Sequence, residues 1–281
     1  MFLLLLACNG DQDHSSPAVD DTGQDDTGPI QPDAIAEALA NCSATVTGTD
    51  PSGTVIFQAD QLYDEHGDLV TDNWHYPGQE WGDSDSTLTY GNPHEIASAF
   101  IDFIDNSIID DYTATYTWVD GDEVESFTDY GAGTNRTTST YEEHRLVHQV
   151  RDDDDDGTAD DTSDLDWTAA SDGWDVVGAG VTADGTYTTD EHWIDPRHRD
   201  RFHSISTAGV ERQIDTEEFS SLGLEGSTTD YEWRNGVVTW KYITTVTFDS
   251  DGRFATNVWT MSFSEHDDDP PQTDTYTYTC P

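Results

Sequence analysis

The feature that most constrains this chain is a two-residue alternation that runs up to one turn signal and resumes after it. In 237–248, Val238, Trp240, Tyr242, Thr244, Val246 and Phe248 alternate with Val237, Thr239, Lys241, Ile243, Thr245 and Thr247. Both sets carry apolar residues and β-branched side chains dominate, which predicts a strand in the interior of a sheet. The preceding Asn235-Gly236 is a type I′ hairpin signal and makes Thr228–Arg234 its antiparallel partner. A turn over 248–254 leads to a return strand, 255–264, with Trp259, Met261 and Phe263 on one face. The last segment puts Tyr276, Tyr278 and Cys280 on one face and threonines on the other. The expected fold class is all-β: an antiparallel meander forming a barrel or a strongly twisted sheet.

Two segments break the alternation. Residues 33–41 predict a short lead-in helix. Asn92-Pro93-His94-Glu95 offers an N-cap, a proline at N1 and a glutamate at N3, and Ile96, Phe100, Phe103 and Ile104 follow at helical spacing. This predicts one covering helix over about 93–106, although 100–104 also reads as a strand.

Charge sets the partners that the chain excludes. It carries 59 Asp plus Glu against 10 Lys plus Arg, a formal net charge of -49. Such a field repels nucleic-acid phosphates and anionic lipid heads, so no nucleic acid is expected, and it opposes compaction. Nine Trp, twelve Tyr and ten Phe at strand spacing supply a core that a disordered acidic chain lacks.

The N-terminus speaks to the compartment. Leu5-Leu6-Ala7-Cys8 closes a short apolar run and resembles the lipobox of bacterial lipoproteins. That resemblance implies a signal peptide over 1–7, lipidation of Cys8, and membrane contact through the lipid anchor alone. No basic residue precedes the leucines, which suggests a start further upstream. Residues 8–32 then read as an acidic, disordered tether, with Asp20-Asp21-Thr22-Gly23 echoed at 25–28. Its Asp-Thr-Gly triplets match the aspartic-protease signature only as letters, because that signature needs a packed cleft. The expected location is the bacterial cell envelope, with the outer membrane favoured. Export makes a Cys42–Cys280 disulfide the natural pairing, bracketing a domain over 33–281.

Residues 63–70, 118–124 and 248–254 share one grammar: an aromatic strand end, an Asp-rich turn with glycine, then an apolar strand start. Here the chain resembles the YD-type repeats of bacterial surface and Rhs-like proteins, which implies antiparallel hairpin units.

One loop has metal-ligand spacing. Asp152, Asp154, Asp156, Gly157, Thr158 and Asp160 stand at positions 1, 3, 5, 6, 7 and 9 of an EF-hand loop. The run also resembles the calcium loops of thrombospondin type-3 repeats. Ser163 holds position 12 in place of an acidic ligand, with Asp161 and Asp164 nearby, so weak Ca²⁺ binding competes with a plain solvated turn. Arg197, Arg199 and Arg201 concentrate cations among His192, His198 and His203. They either grip an acidic ligand or neutralise nearby carboxylates, and the second reading is the blander. His144 and His148 make a weak metal pair. No nucleophile elbow, zinc-protease motif or phosphate loop occurs, so no enzyme is expected.

Three functions remain open. The first is a non-enzymatic binding or structural module, monomeric, calcium-stabilised, with an envelope protein or glycan as partner. The second is a lipid or lipoprotein carrier with an apolar half-barrel cavity. The third is an extracytoplasmic hydrolase with two facing carboxylates.

Overall fold

The computed structural model describes residues 32–77, 83–104, 111–131, 133–182, 185–195, 198–216, 226–263 and 270–281. The signal peptide, Cys8 and the tether through 31 lie outside them, as does Arg197. A helix, α1 (Pro32–Leu39), leads into β1 (Ser43–Thr49), β2 (Val55–Tyr63), β3 (Leu69–His75), β4 (Asp83–Asn92), β5 (Glu95–Ile104) and β6 (Tyr112–Val119). Next come β7 (Asp122–Asp129), β8 (Thr134–Glu142), β9 (Arg145–Asp152), β10 (Asp161–Ala169), β11 (Trp174–Thr182) and β12 (Gly185–Asp195). The chain ends with β13 (His198–Ser206), β14 (Val210–Thr216), β15 (Thr228–Arg234), β16 (Val237–Phe248), β17 (Phe254–Phe263) and β18 (Gln272–Thr279).

Each strand pairs antiparallel with its sequence neighbours, and β18 closes on β1 through Ser43↔Thr279 to Thr49↔Thr273. The result is a closed 18-stranded barrel. A ring of 18 strands spaced about 4.8 Å apart is roughly 30 Å across if circular, wider than one layer of side chains fills.

The hairpin chemistry of the sequence is realised locally. Asn235 and Gly236 have φ of 53° and 79°, and Asp120 and Gly121 have 53° and 84°. Two successive left-handed residues make the I′ turn whose twist matches the flanking strands. The 248–254 turn is pinned by Asp249, whose Oδ1 accepts the Asp251 and Arg253 amides at 2.9 and 3.0 Å.

The covering helix over 93–106 is not present. Residues 93 and 94 form a turn, with His94 at φ 67°, and Glu95–Ile104 is a strand. Asn92 and Glu95 do meet, Nδ2 to Oε2 at 2.6 Å, but the contact closes a hairpin. Spacing of four satisfies a two-residue period as well as a helix. Ala99, Ile101 and Phe103 are buried while Phe100 is exposed, which is strand alternation. The lead-in helix is found as α1, ending two residues earlier than expected.

Strand parity puts the two barrel ends in different company. At one end lie α1, the Cys42–Cys280 disulfide and the turns 64–68, 93–94 and 249–253. Arg253 ties this end together, donating to the Ala38 carbonyl at 3.3 Å and to Asp249 Oδ2 at 2.9 Å while lying 4.7 Å over the Tyr278 ring. The acidic loop 153–160 sits at the other end.

Candidate functional site

Register separates the two faces of the wall. Val46, Ala59, Ile101, Ala114, Val176, Thr189 and Asp274 are buried and share one face, the inner one. Threonines and aspartates dominate the other. Thr45, Thr47, Thr275 and Thr277 face each other across the closing seam. Several large apolar residues that point outward stand between polar neighbours. Val177 lies between Asp166 and Asp190, Phe100 between Thr87 and Thr113, Ile205 between Thr188 and Glu211, and Val258 between Thr245 and Thr273. A bilayer-facing barrel needs a continuous apolar band outside, because charge there costs about 2–4 kcal/mol at mid-membrane. This outer face is built for water.

The inner face is lined by aromatic rings. Along one stretch Trp167 lies 6.3 Å from Trp174 and 5.3 Å from Trp193, centroid to centroid. Along another, Trp240, Tyr242 and Trp259 follow at 6.1 and 6.2 Å. A third joins Phe57 to Trp74 at 4.9 Å and Trp74 to Tyr76 at 6.1 Å. These tryptophans are half-buried, so their faces line an accessible wall.

Carboxylates are set among the rings. Glu191 receives Arg199 at 3.1 Å and the Trp193 indole N–H at 3.0 Å, and Arg199 packs 4.5 Å over Phe202. Asp230 holds Arg212 through both oxygens, at 3.1 and 2.6 Å. Asp274 and Asp72 differ. Asp274 is 7% exposed, and its donors among the described residues are neutral, Trp259 Nε1 and Asn257 Nδ2, both at 3.3 Å. Burial outweighs those donors and pushes its carboxyl up to about 6. Asp72 is 8% exposed, receives Gln61 at 3.2 Å and is also raised by burial. Burial and the Asp274 charge push the Tyr242 hydroxyl up to about 12. Among the described residues, Asn257 Oδ1 is buried without a hydrogen-bond partner.

In the acidic loop, three of the five spaced residues converge. Oxygens of Asp152, Asp154 and Asp156 lie within 4.8 Å of one another. Asp152 Oδ2 accepts the Gly157 amide at 2.8 Å, Gly157 takes φ 86°, and Asp156 Oδ1 accepts the Thr158 amide at 2.7 Å. Repulsion from Asp156 raises Asp154, the strain a cation relieves. Asp160 is spent on the Asp153 amide at 2.7 Å. The two stand-ins for position 12 are also engaged: Asp161 accepts the Tyr187 hydroxyl at 3.1 Å, and Asp164 meets His148 at 2.6 Å. Three carboxylates therefore converge with no acidic ligand closing the set.

Of the arginine run, the two described members, Arg199 and Arg201, fall on opposite faces of the wall. Register shifts in β12 between His192 and Trp193 and beyond set Arg199 beside Trp193 on the inner face, and Arg201 beside His192 outside. Arg201 meets Asp190 at 3.7 Å and Arg199 meets Glu191, so both are absorbed in ion pairs. His144 and His148 likewise go to Asp122 and Asp164. The disulfide forms as expected. What the sequence missed is the inner wall, a continuous face that exists only once β18 closes on β1.

No protein-family model matches this chain, and no curated protein does. Among solved structures, it is similar to a porin-like protein from Bacteroides uniformis, with 14% identity and a TM-score of 0.45, over 84% of this chain and 97% of that one. At that distance no property of that protein passes to this chain.

Proposed function

We propose that this protein is a non-enzymatic binding module of the bacterial cell envelope that receives its ligand inside the barrel. The observation that carries this reading is the inner wall: half-buried aromatic faces interleaved with oriented polar groups, behind a threonine- and aspartate-rich exterior. Lipid on Cys8 and the acidic tether would hold a water-facing barrel near a membrane by the end that carries α1, so that the acidic loop faces away. The wall also argues against the alternatives. A lipid carrier would leave buried carboxylates against hydrocarbon. A hydrolytic pair needs two carboxyl groups within about 10 Å with one of them free of a counter-ion, and the two carboxylates raised by burial are far apart. Asp72 and Asp274 stand three strands apart around the wall and about four residues apart along it, nearly 20 Å between backbones at standard strand spacings.

The test is fluorescence binding of a neutral probe, N-phenyl-1-naphthylamine, to the full chain. Trp240→Ala, on the inner face, is expected to weaken binding at least severalfold, and Trp233→Ala, on the outer face, to leave it unchanged. The opposite pattern would overturn the reading. Metabolic labelling with a fatty acid, lost in Cys8→Ser, tests the anchor.

The loop of Asp152, Asp154, Asp156, Thr158 and Asp160 is proposed as a weak Ca²⁺ site that orders the far rim. Melting with millimolar Ca²⁺ should raise Tm more than Mg²⁺ at matched ionic strength, and Asp154→Ala should remove the difference. An equal response to both ions would leave the loop a solvated turn.

A further inference from the structure

The inner wall handles its buried charges in two ways. Asp230 and Glu191 each have an arginine, whereas the hydrogen bonds of Asp274 and Asp72 come from neutral donors. A carboxylate taken out of water without a counter-ion is costly, and a binding protein can leave that counter-ion to its ligand.

The surroundings of Asp274 state what the ligand must bring. Asn257 Nδ2 donates to Asp274 Oδ2, which fixes the amide orientation and leaves Asn257 Oδ1 buried without a donor. Two acceptors thus stand side by side, one of them charged. Rings surround them: Trp259 donates to Asp274, Tyr242 lies 6.2 Å from Trp259, and Tyr276 is two residues along the same strand. Gly48 is the cross-strand partner of Asp274, and the Phe57 ring lies over it so closely that a Cβ there would come within 2.2 Å. The missing side chain lets a further aromatic face lie beside the carboxylate. Cations are attracted to such faces.

We propose that this part of the wall, from β16 through β18 and β1 to β3, seats a protonated amine, with Asp274 as its counter-charge and Asn257 Oδ1 as a second acceptor. The proposal rests on the interior being the binding face. Chemistry selects among ligands. A neutral alcohol leaves the carboxylate without a counter-ion. A quaternary ammonium satisfies the charge and the rings but has no N–H for Asn257. A primary or secondary ammonium satisfies all three. Asp72, with Tyr76 and Tyr276 near it, offers a second anchor for a chain that carries more than one amine.

Displacement of N-phenyl-1-naphthylamine from the full chain tests this at about pH 8, where an alkylamine is protonated and Asp274 ionised. About 0.5 M NaCl shortens screening to about 4 Å and removes the general pull of the acidic surface. Hexylammonium is expected to compete at least about tenfold more strongly than hexanol, with tetramethylammonium between them. Asp274→Asn should erase the preference for hexylammonium over hexanol while the dye still binds. Asn257→Ala should cut hexylammonium competition severalfold and leave tetramethylammonium unchanged. If the dye binds but amine and alcohol compete equally, or Asp274→Asn changes nothing, the interior remains a binding face and the amine inference is overturned. If neither dye nor amine binds a folded chain, the interior reading falls and takes this inference with it.

Discussion

Two stretches of the same inner wall make an instructive pair. Across β12 to β15, buried acids come with built-in arginines: Glu191 with Arg199 and Asp230 with Arg212. From β16 round to β3, acids of similar burial, Asp274 and Asp72, have amide and indole donors among the described residues. The first stretch is internally neutralised and can serve as scaffold. The second carries an uncompensated charge that only a change of protonation or an incoming cation relieves.

Removing a partner from the first stretch should have the largest effect. Arg212→Ala leaves Asp230 buried and unpaired and should cost about 3–4 kcal/mol of stability, read by urea unfolding near neutral pH. A loss below about 1 kcal/mol would mean that water already screens the pair, and the contrast with the second stretch would weaken.

The second stretch should respond in the opposite sense. The Asp274 carboxyl is raised from 3.8 to about 6, so the native state holds its proton more tightly than the unfolded chain does. Stability from this group is full below about pH 4, falls as pH rises to about 6, and is flat beyond, by about 2–3 kcal/mol. Asp274→Asn should remove that fall, leaving the variant more stable than wild type at pH 8 relative to pH 4. A wild-type stability curve with no contribution of this sign would show that Asp274 is already compensated.

A subtler change probes the space beside that charge. Gly48→Ala drives a methyl into the Phe57 ring and should cost about 1–2 kcal/mol in thermal unfolding, with amine binding weakened further. The smallest effect is expected at Asp72, raised by burial but receiving Gln61. Asp72→Asn should shift the acid limb of the stability curve in the same direction as Asp274→Asn and by less.

How much of this the sequence disclosed follows from the range of each interaction. Thr228–Arg234 and the Asn235-Gly236 turn were legible residue by residue, because hairpin pairing and left-handed turns are written locally. The segment over 93–106 was ambiguous because Ile96 and Phe100, four apart, fit both periods. Only the burial of Ala99, Ile101 and Phe103 against neighbouring strands decides it. Arg199 and Arg201 read as neighbours in one patch because a shift in register leaves no mark in the sequence. The Asp274 surroundings were out of reach altogether: Asp274, Gly48 and Asn257 meet only once the last strand lies between β17 and the first.

That closure has one more consequence. With β1 hydrogen-bonded to β18 and Cys42 bonded to Cys280, the polypeptide between the two cysteines is a covalent circle with a tail. In an oxidising compartment, a protease that nicks one exposed turn, such as 235–236, produces a single connected chain with relocated ends rather than two fragments. The same property lets the starting point of the strand order move around the ring. New termini opened at that turn, with the old ones joined, would give a barrel with the same neighbours throughout.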